Sequence, residues 1–194
     1  TENHVEAKKL YEFRLQFNER HRLCDAQGEV TTLLGLGRLA FNEIPKNLPL
    51  AQQYFRDALQ GSEAIGYIQG EIQACNLLGA CALAEDELTT AHESYRRAWK
   101  ASQDSLSRIA SATGLLAFYT RANEIERLHR VVHQILLLIE EGTLPADCAE
   151  TIVAELSACP AEHVTPEVEQ LLQYARRPAV PERQTRRQRL TQPS

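Results

Sequence analysis

Residues 72–100 read IQACNLLGACALAEDELTTAHESYRRAWK. Two apolar patterns of helical period lie back to back in this stretch, split by the polar turn Ala84-Glu85-Asp86-Glu87. Gly79 and Ala82 in the first half, and Ala91 and Ala98 in the second, are small residues placed where two helices would cross. Leu78 and Tyr95 supply bulk on either side. The pattern predicts an antiparallel helical hairpin, and such a unit needs stacked neighbours before its apolar stripe is buried.

Those neighbours are visible as an internal repeat. Ala51, Phe55 and Ala58 precede Ala91, Tyr95 and Ala98 by the same interval (91−51, 95−55 and 98−58 are each 40), and Leu48 precedes Leu88 likewise. Carried forward, the shift pairs Leu88 with Leu128, Ala91 with Val131, Tyr95 with Ile135 and Ala98 with Leu138. It also pairs Leu78 with Phe118 and Ala82 with Ala122. The small residues grow in the third copy, as in a degenerate repeat near the end of a stack. In the first copy the turn from Asn42 to Pro49 holds two prolines and reads as longer than the tight turn of the second.

With these spacings the chain resembles the tetratricopeptide repeat family, in a longer form of about forty residues per repeat. The resemblance runs from about Glu29 to Glu141; Cys75 stands at the family's Trp position and Glu85-Asp86 at its turn Gly-Asp. It implies an all-α fold, a superhelical solenoid of antiparallel helix hairpins with capping helices at both ends. The repeats would occupy 28–64, 65–104 and 105–141, the capping helices 1–27 and 142–177, and a basic disordered tail 178–194. The N-terminal cap would use Val5, Leu10, Phe13 and Phe17 as its apolar stripe. At the other end, Pro145 to Ser157 and Pro166 to Ala175 read as two shorter helices, the second with Thr165 as N-cap and Pro166 at the first helical position.

In that family the first helix of each hairpin lines a concave groove. The residues beside the packing positions there are Arg38, then Glu71, Gln73 and Asn76, then Arg108, Ser111 and Tyr119. The Lys/Asn/Asn/Lys/Arg set with which some members clamp a partner's C-terminal carboxylate does not align, so that specificity is not carried over.

Composition narrows the classes of function. Apolar residues make up 43% of the chain, as in ordinary globular proteins. No apolar run approaches the roughly 20 residues a membrane span needs, and the opening residues lack the charged-then-apolar pattern of a secretory signal. The five cysteines (24, 75, 81, 148 and 159) are odd in number and irregular in spacing, which fits free thiols and a reducing, cytoplasmic setting. After Tyr174 the chain carries six arginines against Glu182, a net +5; the whole is −5, so the remainder is −10. An acidic body argues against nucleic-acid binding by the body, whereas Arg183, Arg186, Arg187 and Arg189 would let the tail touch acidic surfaces.

No catalytic constellation stands out. His129 and His133 have a zinc-compatible spacing, but Arg130 occupies the Glu of the metalloprotease motif. The glycines fall in helical patterns and form no phosphate loop. The expected function is therefore a non-enzymatic adaptor or scaffold, without cofactor or metal, that takes a peptide or protein segment in its groove. A regulatory sensor or chaperone module is one alternative. Another is a structural subunit, homo- or hetero-oligomeric, whose groove is permanently filled by a neighbour or by its own tail.

Overall fold

A computed structural model describes residues 2–21, 25–141 and 144–176. Among them are nine α-helices and one short 3-10 turn, with no strand. The first five helices are α1 (Glu2–His21), α2 (Ala26–Phe41), α3 (Leu48–Ile65), α4 (Ile68–Ala84) and α5 (Leu88–Ala101). They are followed by α6 (Ser105–Arg121), α7 (Ile125–Glu141), α8 (Ala146–Ser157) and α9 (Pro166–Ala175). The expected tail at 178–194, with Arg183, Arg186, Arg187 and Arg189, lies outside the described residues, as does Cys24.

Polar residues between the apolar patterns set the helix starts. Asp25, Asn47, Asp104 and Thr165 each accept the backbone N–H three positions on, from Gly28, Leu50, Ser107 and Val168, so that orphan donors of the first turn are satisfied. Pro49 and Pro166 stand in first turns, where the missing N–H is not needed. Within the second and third hairpins the turn is made the same way. Asp86 (φ 62°) and Asn123 (φ 56°) take the left-handed conformation, which Asp and Asn tolerate better than most residues. The N–H three residues past the end of each helix then reaches back five positions: Glu87 to the Ala82 carbonyl (2.8 Å) and Glu124 to the Tyr119 carbonyl (3.0 Å).

α2 packs with α3, α4 with α5, and α6 with α7 as hairpins. The first helices touch in succession, α2 on α4, α4 on α6 and α6 on α8. The second helices α3 and α5 pack onto the first helix of the next hairpin, while α7 packs onto α9. α8 and α9 thus prolong the layer as a fourth pair, and α1 lies against α2 at the other end. Three helix contacts in the stack, α2–α3, α4–α5 and α5–α6, are closed by one of two aromatic rings set against glycine. A Cβ added to Gly37 would come within 2.3 Å of the Phe55 ring, and one on Gly79 or Gly114 within 2.8 or 2.3 Å of the Tyr95 ring. Only glycine permits that approach.

Two expectations change. The third hairpin follows the second at an interval of 37 residues, not 40. Gly70, Ile72, Ala74, Cys75 and Gly79, buried in α4, correspond to Ser107, Ile109, Ser111, Ala112 and Leu116, buried in α6 (107−70 through 116−79). Ala91, Tyr95 and Ala98 correspond to Leu128, Val132 and Ile135, all fully buried, whereas Leu138 is only partly buried. The reason is the length of α5: it has 14 residues against 18 in α3, while the connection after it (102–104) is one residue longer than that after α3 (66–67). Thus 19 residues separate Ala51 from Gly70 (70−51), but 16 separate Ala91 from Ser107 (107−91). The shortening lies at the C-terminal end of α5, beyond its packing residues Ala91, Tyr95 and Ala98, so the periodicity within each helix is kept and the sequence pattern alone does not reveal the slip.

The second change concerns α1. Val5, Leu10, Phe13 and Phe17 are exposed, and the helix packs through Tyr11, whose ring fills the space beside Gly35. Leu15, one turn along from Tyr11, is partly buried with it. Apolar residues occupy two faces of this helix, and the pattern does not say which one meets α2.

Candidate functional site

The structure disperses the expected groove residues. Arg38, Gln73 and Arg108 are exposed. Glu71 is committed elsewhere: it accepts from Arg97 Nε (3.0 Å) and Nη2 (2.8 Å), and the same guanidinium bonds Glu63, which ties α5 to α3 and α4. Asn76 Nδ2 donates to Ser111 Oγ (3.3 Å), and Ser111 Oγ lies 3.1 Å from Ser102 Oγ. Ser111 is fully buried, so it belongs to the α4–α6 contact and not to an open groove. Nearer the helix starts, Gln69 Nε2 donates to Asp104 Oδ2 (3.0 Å) and Ser107 Oγ (3.1 Å), extending this polar seam. Side-chain and backbone hydrogen bonds from Ser107 hold the Asp104 carboxyl below its usual range.

Tyr119 leads to a different place. It lines a cleft of about 450 Å³ between α5, α6 and α7, a size usual for ligand pockets. Leu115 and Tyr119 of α6 line it, with Val131 of α7; all three are buried. The α5 wall carries Arg96, Trp99 and Lys100, and the α7 wall Arg127, Arg130 and Gln134. The four cationic residues are exposed, and none of the described lining residues is acidic. Arg127 also pairs with Glu124 one turn before it (2.7 Å), and its guanidinium lies 6.0 Å from the Tyr119 ring centroid. Such a placement fits a cation over an aromatic face.

Behind Tyr119 sits His92. Its ring stacks on Phe118 (centroids 4.7 Å apart, planes 12° apart), and its Nε2 lies 3.4 Å from the Tyr119 hydroxyl. Burial pushes the imidazole below its ordinary pKa, and the charges of Arg96 and Arg127 add to the effect. Glu124 and Glu93 oppose the shift without reversing it, so the ring adds no positive charge to the cationic rim at pH 7.

Other chemistry-bearing residues are used structurally. His129 Nε2 donates to the His163 carbonyl (2.9 Å) and so joins α7 to the segment before α9. Among the described residues no group of three or more His, Cys, Asp or Glu side chains is placed to hold a metal ion. Cys75, Cys81 and Cys148 are buried free thiols, pushed up by burial to about 11, about 11 and about 12. As thiols of that pKa they pack as small apolar residues. No helix of the described residues is long and apolar enough to cross a membrane.

Compared with protein-family models, curated proteins and solved structures, the chain matches none. Its function is therefore to be argued from the geometry above. The cleft has one sequence signal that the reading by repeats did not use. Arg96 and Lys100 lie one turn apart on α5, and Arg127 and Arg130 one turn apart on α7. In a body of net charge −10, two such pairs on successive second helices mark a face.

Proposed function

We propose that this protein is a tetratricopeptide-like adaptor that takes a segment of a partner protein between its helical hairpins. The observation that carries this reading is the open cleft between successive hairpins. It is floored by the buried Leu115, Tyr119 and Val131 and rimmed by long polar side chains, the layout of a peptide site in which apolar contacts give affinity and rim groups give register. The seat of binding is thereby moved from the face bearing Arg38, Gln73 and Arg108 to the side of the second helices. The apolar floor and cationic rim of the cleft support binding of a segment.

Amine-reactive cross-linking under native conditions tests the reading, because Lys100 stands at the rim. The expected result is a partner segment joined to Lys100. Recovery of no protein partner, together with saturable turnover of some small molecule, would overturn it.

A further inference from the structure

We propose that the cleft between α5, α6 and α7 selects an acidic partner segment, seating its carboxylates on Arg96, Lys100, Arg127 and Arg130 and an apolar side chain against Trp99. The proposal rests on the adaptor reading and adds the chemistry of the partner.

The internal repeat supplies the control. The same positions one hairpin earlier are found by subtracting 40 for α5 and 37 for α6 and α7. Trp99 then corresponds to Leu59, Lys100 to Gln60 and Tyr119 to Ala82. Arg127 corresponds to Thr90, Arg130 to Glu93 and Gln134 to Arg97. Arg96 corresponds to Arg56, the one cation kept. The earlier junction thus holds Arg56, Glu93 and Arg97, a net +1, and Arg97 is bound by Glu63 and Glu71. The later junction holds four cations, of which Arg127 pairs with Glu124, and no acid among its described lining residues, with two aromatic rings where the earlier one has Leu59 and Ala82.

A merely solvated face would keep the mixed charge of its predecessor, since like charges gathered on one rim repel and lower stability. Among the described residues Arg96 and Lys100 have no ion-pair partner, so that repulsion is left for a bound anion to relieve. Charge also decides the occupant. The chain's own 178–194 segment carries four arginines against Glu182 and would be repelled. A segment rich in Asp and Glu is drawn in, and Trp99 with the Tyr119 edge offers it an apolar seat, a combination that gives both steering and residence.

Trp99 is the single tryptophan of the chain, so its fluorescence reports on the cleft directly. The probes are a synthetic Asp/Glu-rich peptide carrying one leucine, its Lys/Arg-rich counterpart, an uncharged peptide of equal length, and inorganic pyrophosphate. The variant restores the earlier junction: Arg127→Thr with Arg130→Glu, both exposed and both residues that the preceding hairpin accommodates. A second variant, Lys100→Gln, does the same on α5, and circular dichroism checks each fold.

The expected result is saturable change of Trp99 emission by the acidic peptide alone, weakened about tenfold or more in the double variant and by added salt. Equal binding of the uncharged peptide would overturn the acidic preference while leaving the adaptor reading standing. A response to pyrophosphate and to no peptide would overturn both. Self-association that disappears in the double variant would put a second copy's acidic surface in the cleft and overturn a separate partner.

Discussion

The second and third hairpins solve one packing problem in two ways. In the second, a large ring from α5 (Tyr95) lies against a glycine of α4 (Gly79) and a glycine of α6 (Gly114). In the third, the corresponding pair is Leu116 and Val132, both fully buried, two aliphatic side chains of middling size. The first arrangement puts most of the contact into one side chain; the second spreads it. The difference shows that what the repeat preserves is a filled crossing and not the residues that fill it, as expected of a close-packed interior.

Removing the ring should break the comparison most sharply. Tyr95→Ala leaves a void facing two glycines that cannot close it, and a loss of about 3–5 kcal/mol is expected in urea unfolding. Val132→Ala, with fewer atoms removed, should cost clearly less. The reverse order would mean that the two crossings are not equivalent.

Adding a methyl group tests the same notch from the other side. In an open helix Gly→Ala stabilises by about 1 kcal/mol. At Gly114 the new Cβ would meet the Tyr95 ring at 2.3 Å, so Gly114→Ala should destabilise instead, by about 1–3 kcal/mol. Combined with Tyr95→Leu, which vacates the space, the same change should turn neutral or favourable. A double-mutant cycle with no coupling would remove the notch from the account.

The exposed ion pairs of the second hairpin carry less. Arg97→Ala breaks contacts with Glu63 and Glu71, yet all three side chains reach solvent, so a change of about 1 kcal/mol or less is expected, shrinking as salt is added. A larger, salt-insensitive loss would show that Arg97 holds the helices by packing of its stem.

The smallest effect concerns pH. His92 titrates below the ordinary imidazole value in the folded chain, so the unfolded chain takes up the proton first as pH falls. The stability it contributes is present above the ordinary value and is lost as pH drops through the folded one. Side-chain NMR should show the depressed titration, and an acidic peptide in the cleft should move it upward by opposing Arg96 and Arg127. A titration at the ordinary value would break the link between His92 and the cleft.

Much of the fold was legible because helical period and small residues at crossings are local signals. The turn 84–87, the Thr165 cap and the α8 and α9 helices follow from a few neighbouring residues each. The 37-residue interval was hidden because Val131 and Ile135 are apolar too, so a slip of about one turn still lands on the buried face of α7. α1 misled for a similar reason, having two apolar faces. The cleft was the least legible part, since of its lining only Tyr119 falls among the groove candidates that the repeats point to. Trp99, Arg96 and Arg127 come together through the packing of three helices, which no spacing within one helix reports.

The three-residue shortening that comes with the shorter α5 also fixes the unit in which this chain could be lengthened. A duplicate of residues 68–104, inserted after Asp104, would place Ile68 of the copy where Ser105 now begins a helix, with Asp104 still at its cap. A duplicate of residues 65–104 would bring Ile65, Gly66 and Tyr67 into that junction, move the cap away from the helix start and delay the next helix by nearly one turn. Growth of the stack, by design or by gene duplication, is in phase at the first length and out of phase at the second.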